Sequence, residues 1–165
     1  MKKTDKTNVI VKGVAAVCAF LASMMLICHV FVMSTEATNV STGYNLFKCW
    51  EVGLDGAPTE FALMTICFSI AFFLGLVLAI LFVANIFFDN KLIEKILMIA
   101  AIVFAVVIIV GLICTFVYAS NTTSTVEVDT ATIGFTTSVG IGAILTTIFG
   151  VATAAMIFAG KALKK

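Results

Sequence analysis

The stretch GFTTSVGIGAILTTIFGVATA, residues 134 to 154, places a small side chain at every fourth position: Gly134, Ser138, Gly142, Thr146, Gly150 and Ala154. It lies in an apolar run from Ile133 to Ala159, longer than the about 20 residues a helix needs to cross roughly 30 Å of hydrocarbon. Inside lipid there is no hydrophobic drive between helices, so small residues act by letting two backbones come close. The spacing therefore predicts a membrane helix whose smooth face packs against its neighbours. Four residues advance a helix by about 400°, so the face turns by about 40° at each step and cannot meet one partner along its whole length. Gly142, Thr146 and Gly150 are expected to form one close crossing, with the two ends of the stripe left for other helices. Gly140-Ile-Gly142 is not a dinucleotide-binding turn, because it lacks the third glycine and follows no strand-helix-strand unit.

Three further apolar runs accompany this one, and the chain of 165 residues is 62% hydrophobic with 12% charged residues, well below the charge of a soluble domain. The expectation is an all-α integral membrane protein, a single membrane domain over 1–165. Its helices should lie at about 14–33, 61–88, 92–119 and 133–159, with outer loops at 34–60 and 120–132 and a hinge at 89–91. The second and third runs exceed a straight span, so they should tilt or project. Smooth faces recur at Ala15, Ala19 and Ser23, at Ala71, Gly75 and Ala79, and at Gly111, Thr115 and Ala119. The loop 120–132, rich in β-branched and hydroxylated residues, is compatible with a short extended strand.

Lysine placement sets the orientation, because positive residues beside spans stay in the cytoplasm. The segment Met1 to Lys12 carries a net charge of +3, the hinge Asp89 to Lys95 is neutral, and the tail with Lys161, Lys164 and Lys165 carries +3. On the other side, Ser34 to Glu60 carries −3 and Ser120 to Thr130 carries −2. Both termini should be cytoplasmic, with the larger first loop outside. There is no arginine, the preferred residue for bidentate phosphate recognition, so nucleic acid is not an expected partner. Membrane lipid is, together with a protein partner or self-association.

Paired intramembrane carboxylates, a nucleophile beside a base, and a phosphate-cradling loop are missing from the sequence, so a noncatalytic protein without a cofactor is expected. His29, at the outer end of the first run, sits at a depth similar to Cys28, Met64, Cys67 and Cys114 and is a candidate ligand for a soft metal. Against a metal site, no Cys-x-x-Cys or His-x-x-x-His spacing occurs, and the expectation is none. Cys49 is expected to be a free thiol.

The most distinctive polar text is TGYNLFKCWEVG, residues 42 to 53. Tyr44, Phe47, Trp50 and Leu54 recur at helical spacing and should share one face of a short helix at the outer interface, where Tyr and Trp keep their rings buried and their polar atoms wet. Tyr44, Phe47 and Trp50 are thus the candidate contact residues. The leading expectation is a structural, scaffolding or partner-binding role; the alternative is an oligomeric channel or transporter accessory subunit. The whole layout resembles the small four-helix membrane proteins of Gram-positive-type bacteria. It is similar in outline to claudin and MARVEL-type proteins, although the claudin loop has a Gly-Leu-Trp segment and two cysteines where this loop has only Trp50 and Cys49.

Overall fold

The computed structural model describes residues 3–35, 40–88, 91–122, 124–128 and 131–162. Asp89 and Asn90 of the expected hinge, Asp129, and the tail lysines Lys164 and Lys165 lie outside them. Among the described residues, four helices are long and apolar enough to cross a membrane. These are α1 (Lys3–Met25), α3 (Thr59–Phe88), α4 (Lys91–Asn121) and α5 (Ile141–Ala162), and a short α2 (Leu46–Val52) precedes α3. Helix α1 packs against α3 and α5, and α4 closes the square by packing against the same two.

The chain is not all-helical. Four strands, β1 (Phe31–Thr35), β2 (Val40–Tyr44), β3 (Ser124–Val128) and β4 (Ala131–Val139), form one antiparallel sheet in the order β2-β1-β4-β3. The central pairing joins the two loops, with Phe31 opposite Val139 and Thr35 opposite Phe135. The first helix therefore stops at Met25 instead of reaching Met33. Its last turn tightens through bonds from the amides of Leu26, Ile27 and Cys28 to carbonyls three residues back. Beyond it, Val30 and Phe31 use their backbone groups across the sheet, with Val30 N donating to Tyr44 O at 2.7 Å and Gly140 N to Val30 O at 2.7 Å. A β-branched apolar run satisfies a strand as well as a helix.

Likewise the last helix begins at Ile141, not at Ile133, and two members of the small-residue stripe are strand residues. Gly134 is buried opposite Thr125, and Ser138 is exposed opposite Val32. The remaining four turn from one neighbour to another. Thr146 Oγ1 donates to Ala22 O of α1 at 3.0 Å, and a Cβ at Gly142 would lie 2.6 Å from Met25 O, also of α1. At Gly150 it would lie 2.5 Å from Ile108 Cδ1 of α4, and Ala154 is half-buried. The stripe is two contacts in succession rather than one crossing. In α3, Ala71 is buried, Gly75 sits where Ser23 and Phe104 converge, and Ala79 borders the outer flank of the bundle.

Phe68, Leu78, Leu97, Phe104 and Ile108 fill the centre of the bundle. At one end the start of α1, the end of α3 and the end of α5 meet: Gly160 packs on Val11, and Lys12 Nζ donates to Asn85 O at 3.2 Å. Lys12, one of the lysines that precede the first apolar run, is a buried helix residue. It satisfies one of the last carbonyls of α3, which have no partner within their own helix, and it sets a positive charge at the negative end of that helix dipole.

The sheet caps the opposite end, and helix lengths explain its position. Helix α3, with 30 residues, is about 45 Å long, and α4 is similar. The apolar parts of α1 and α5, 20 residues each, are about 30 Å long, the thickness of the hydrocarbon. Two helices therefore overshoot by about 15 Å. The five-residue β1 covers about the same height, at roughly 3.3 Å per residue. The sheet fills the space beside the overshooting ends of α3 and α4 that the shorter helices leave open.

Candidate functional site

The candidate site is this cap, built at the seam where α1 turns into β1 and β4 turns into α5. Gly140 and Gly142 make the seam. A Cβ at Gly140 would collide with the backbone carbonyl of His29, and Gly142 N donates to that same carbonyl at 2.9 Å. The two glycines that opened as a lapsed fingerprint are places where one backbone lies on another.

An aromatic cluster fastens the sheet to the helices. Phe31 of β1 stacks on Tyr44 of β2 with centroids 4.7 Å apart and planes 6° from parallel. It also meets Phe61 of α3 edge-on at 6.0 Å and Tyr118 of α4 at 5.3 Å. Offset and edge-to-face pairs of this kind each contribute about 0.5–1.5 kcal/mol beyond the area they bury.

Helix α2 lies along the outside of α3. Asn45 caps it, accepting from Lys48 N at 2.9 Å, and Gly53 ends it at φ 85°. Trp50 Nε1 donates to Ser69 Oγ at 2.8 Å, and Phe47 meets Phe72 edge-on at 6.1 Å. Ser69 is ten residues into α3, about 15 Å along it, which is the length by which α3 exceeds a span. Trp50 and Phe47, both about half exposed, therefore sit at the level where the apolar cores of α1 and α5 end.

The expected shared face is thus only partly assembled. Phe47 and Trp50 stay together on α2, but Tyr44 belongs to β2 and turns into the aromatic cluster, while Leu54 lies past the end of the helix. Cys49, on the opposite side of α2, is buried, and that burial pushes its thiol up to about 12, a hydrogen bond with Thr65 pulling the other way. It is a free cysteine.

His29 is not in a helix either. It follows α1 in the turn before β1, is exposed, and lays its ring over Gly43, where a Cβ would meet the imidazole. Among the described residues, no group of three or more His, Cys, Asp or Glu side chains is placed to hold a metal ion. Phe31, Phe61 and Tyr118 carry the cap with Gly140, and spacing singles out none of the three aromatic residues. The signal available for Gly140 was its position between a run of β-branched and hydroxylated residues and an apolar one.

No protein-family model matches this chain, and no curated protein matches it.

Proposed function

We propose that this is a noncatalytic integral membrane protein of the cell membrane, with both termini cytoplasmic, whose folded outer cap serves as a platform for lipid and protein partners. The observation that carries this reading is that strands from the first and third inter-helix connections fold together, as one sheet fastened by the Phe31 cluster, instead of standing as separate tethers. A rigid surface suits recognition because little ordering entropy is lost on binding. Phe47 and Trp50, half exposed at the cap's lower edge, are the aromatic anchors of the kind that dominate interfaces. Lipid contact is supported by an apolar groove of about 390 Å³ on the flank between α1 and α3, walled by Ala16, Val17, Phe20, Ala79, Ile80 and Val83. The lysine asymmetry supports the orientation.

The test is purification in mild detergent with measurement of mass and copurifying chains. A monomer or heteromer is expected, whereas a homomeric ring that passes ions in liposomes would replace this reading with the channel or transport-subunit alternative. For orientation, a variant retaining only Cys28, which is exposed at the sheet end, should react with an impermeant maleimide from outside intact cells. Reaction only after lysis would reverse the orientation.

A further inference from the structure

Helices α3 and α4 run antiparallel, and their contacts fix the register between them. At the cap end Asn121 Nδ2 donates to Glu60 Oε1 at 3.3 Å. Further in, a Cβ at Gly111 would lie 2.9 Å from Phe68 Cε1, and one at Gly75 would lie 2.9 Å from Phe104 Cζ. Seven residues make about two turns, so a step of seven from Glu60 and from Asn121 returns to the same seam and reaches Cys67 and Cys114. The two thiols stand in register, close enough to interact electrostatically, and each is half-buried and free.

Packed helices hold their axes about 8–10 Å apart with Cα atoms about 2.3 Å from each axis, which brings Cα atoms facing across the pair to roughly 4–6 Å. A disulfide spans about 4.4–6.8 Å between Cα atoms. Gly75 and Gly111, with no side chain in the way, let α3 and α4 approach closely on this seam. Depth gives the pair access to reagents in water. Cys67 is eight residues into α3, about 12 Å, and Cys114 is seven residues from the end of α4, about 10 Å. Both distances fall within the about 15 Å by which these helices overshoot the hydrocarbon. Cys49 does not compete, because it bonds Thr65, two residues and about 200° round α3 from Cys67.

We propose that Cys67 and Cys114 form a redox pair, which a small disulfide closes into a bond stapling the cap ends of α3 and α4. One thiolate attacks the S–S bond of the reagent, releasing one thiol and leaving a mixed disulfide. The second thiolate attacks the protein sulfur of that bond and releases the other thiol. The pair loses two electrons and two protons, and the reagent leaves as two thiols. The staple goes beyond the platform role, and it stands whichever way the bundle faces. The probe is cystamine, added to the full chain in mild detergent, after which remaining thiols are alkylated and the chain is cut after lysine. Lys91 and Lys95 are the lysines between the two cysteines, so the bond joins two otherwise separate peptides, 49–91 and 96–161. Their recovery linked through Cys67 and Cys114 is expected, as a product within one chain when isotopically heavy and light protein are mixed. The linked product should be lost in Cys67→Ser, with Cys114 then left as a mixed disulfide. Separate alkylation of Cys67 and Cys114 in the natural chain, a link from Cys67 to Cys49, or a bond formed only between chains would each overturn the proposal.

Discussion

The bundle and its cap are held by different means, and the glycines expose the contrast. At Gly75, Gly111 and Gly150, in the bundle, an added methyl group would meet side chains: Ser23 and Phe104, Phe68, and the tip of Ile108. At Gly140 and Gly142, in the seam of the cap, it would meet backbone carbonyl groups of His29 and Met25. Side chains can rotate away; a backbone hydrogen-bonded on both sides cannot. The bundle is a matter of complementary shapes that tolerate adjustment, whereas the cap is a backbone construction in which position is fixed by bonds.

The largest effect that tests this contrast concerns Cys49. If the cap has a dry interior, the thiol at about 12 against an ordinary 9.0 makes the reactive thiolate about a thousandfold scarcer near neutral pH in the folded chain than in the unfolded one. Maleimide labelling of a Cys49-only variant, native against denatured, measures the ratio, and equal rates would mean that the cap is wet. The linkage has a definite sign. The folded state holds the proton more tightly, so the stability associated with this group is present below pH 9 and is lost as pH rises from about 9 towards 12.

Next, Phe31→Ala removes the ring shared by Tyr44, Phe61 and Tyr118, and should destabilise the chain by about 3–5 kcal/mol. Thermal unfolding in detergent reads this, and a change below about 1 kcal/mol would show that the cap rests on the helices without being fastened to them. A direct comparison pairs Gly140→Ala with Gly150→Ala. The first should lower stability by about 2–3 kcal/mol, and the second by under about 1 kcal/mol because Ile108 can repack. Equal losses would erase the distinction drawn between the two regions. The smallest change is Trp50→Phe, which keeps a ring but removes the bond to Ser69. It should lower stability by about 0.5–1.5 kcal/mol, a loss that Ser69→Ala in the same chain should not enlarge.

The same contrast decides what was legible in the sequence. Helices α3 and α4 announce themselves because the predominantly apolar runs 61–88 and 96–119 are each longer than a membrane span requires. The cap is harder to see because Cys28 to Met33 and Ile133 to Val139 are as apolar, or as small, as the helices they adjoin, and hydropathy does not separate a strand from a helix. Extended character in the third inter-helix connection was readable from its β-branched residues, and β3 is found there. The pairing of β1 with β4 was not readable, because it depends on contacts between residues far apart in the chain. Nor was the turn of Tyr44 into the core, since its spacing from Phe47 and Trp50 fits a helix that does not begin until Leu46.

The β1–β4 pairing also imposes an order of events. Strand β1 is made early, yet its partner emerges only after α4, and α5 follows directly behind it. During synthesis, Phe31 and its neighbours must wait with one edge unpaired until β4 has been made. Such long-range pairings form late and leave exposed edges in the meantime. Closure of the sheet therefore depends on β4: a chain cut short before residue 131 keeps three of its long apolar helices but lacks the strand that pairs with β1.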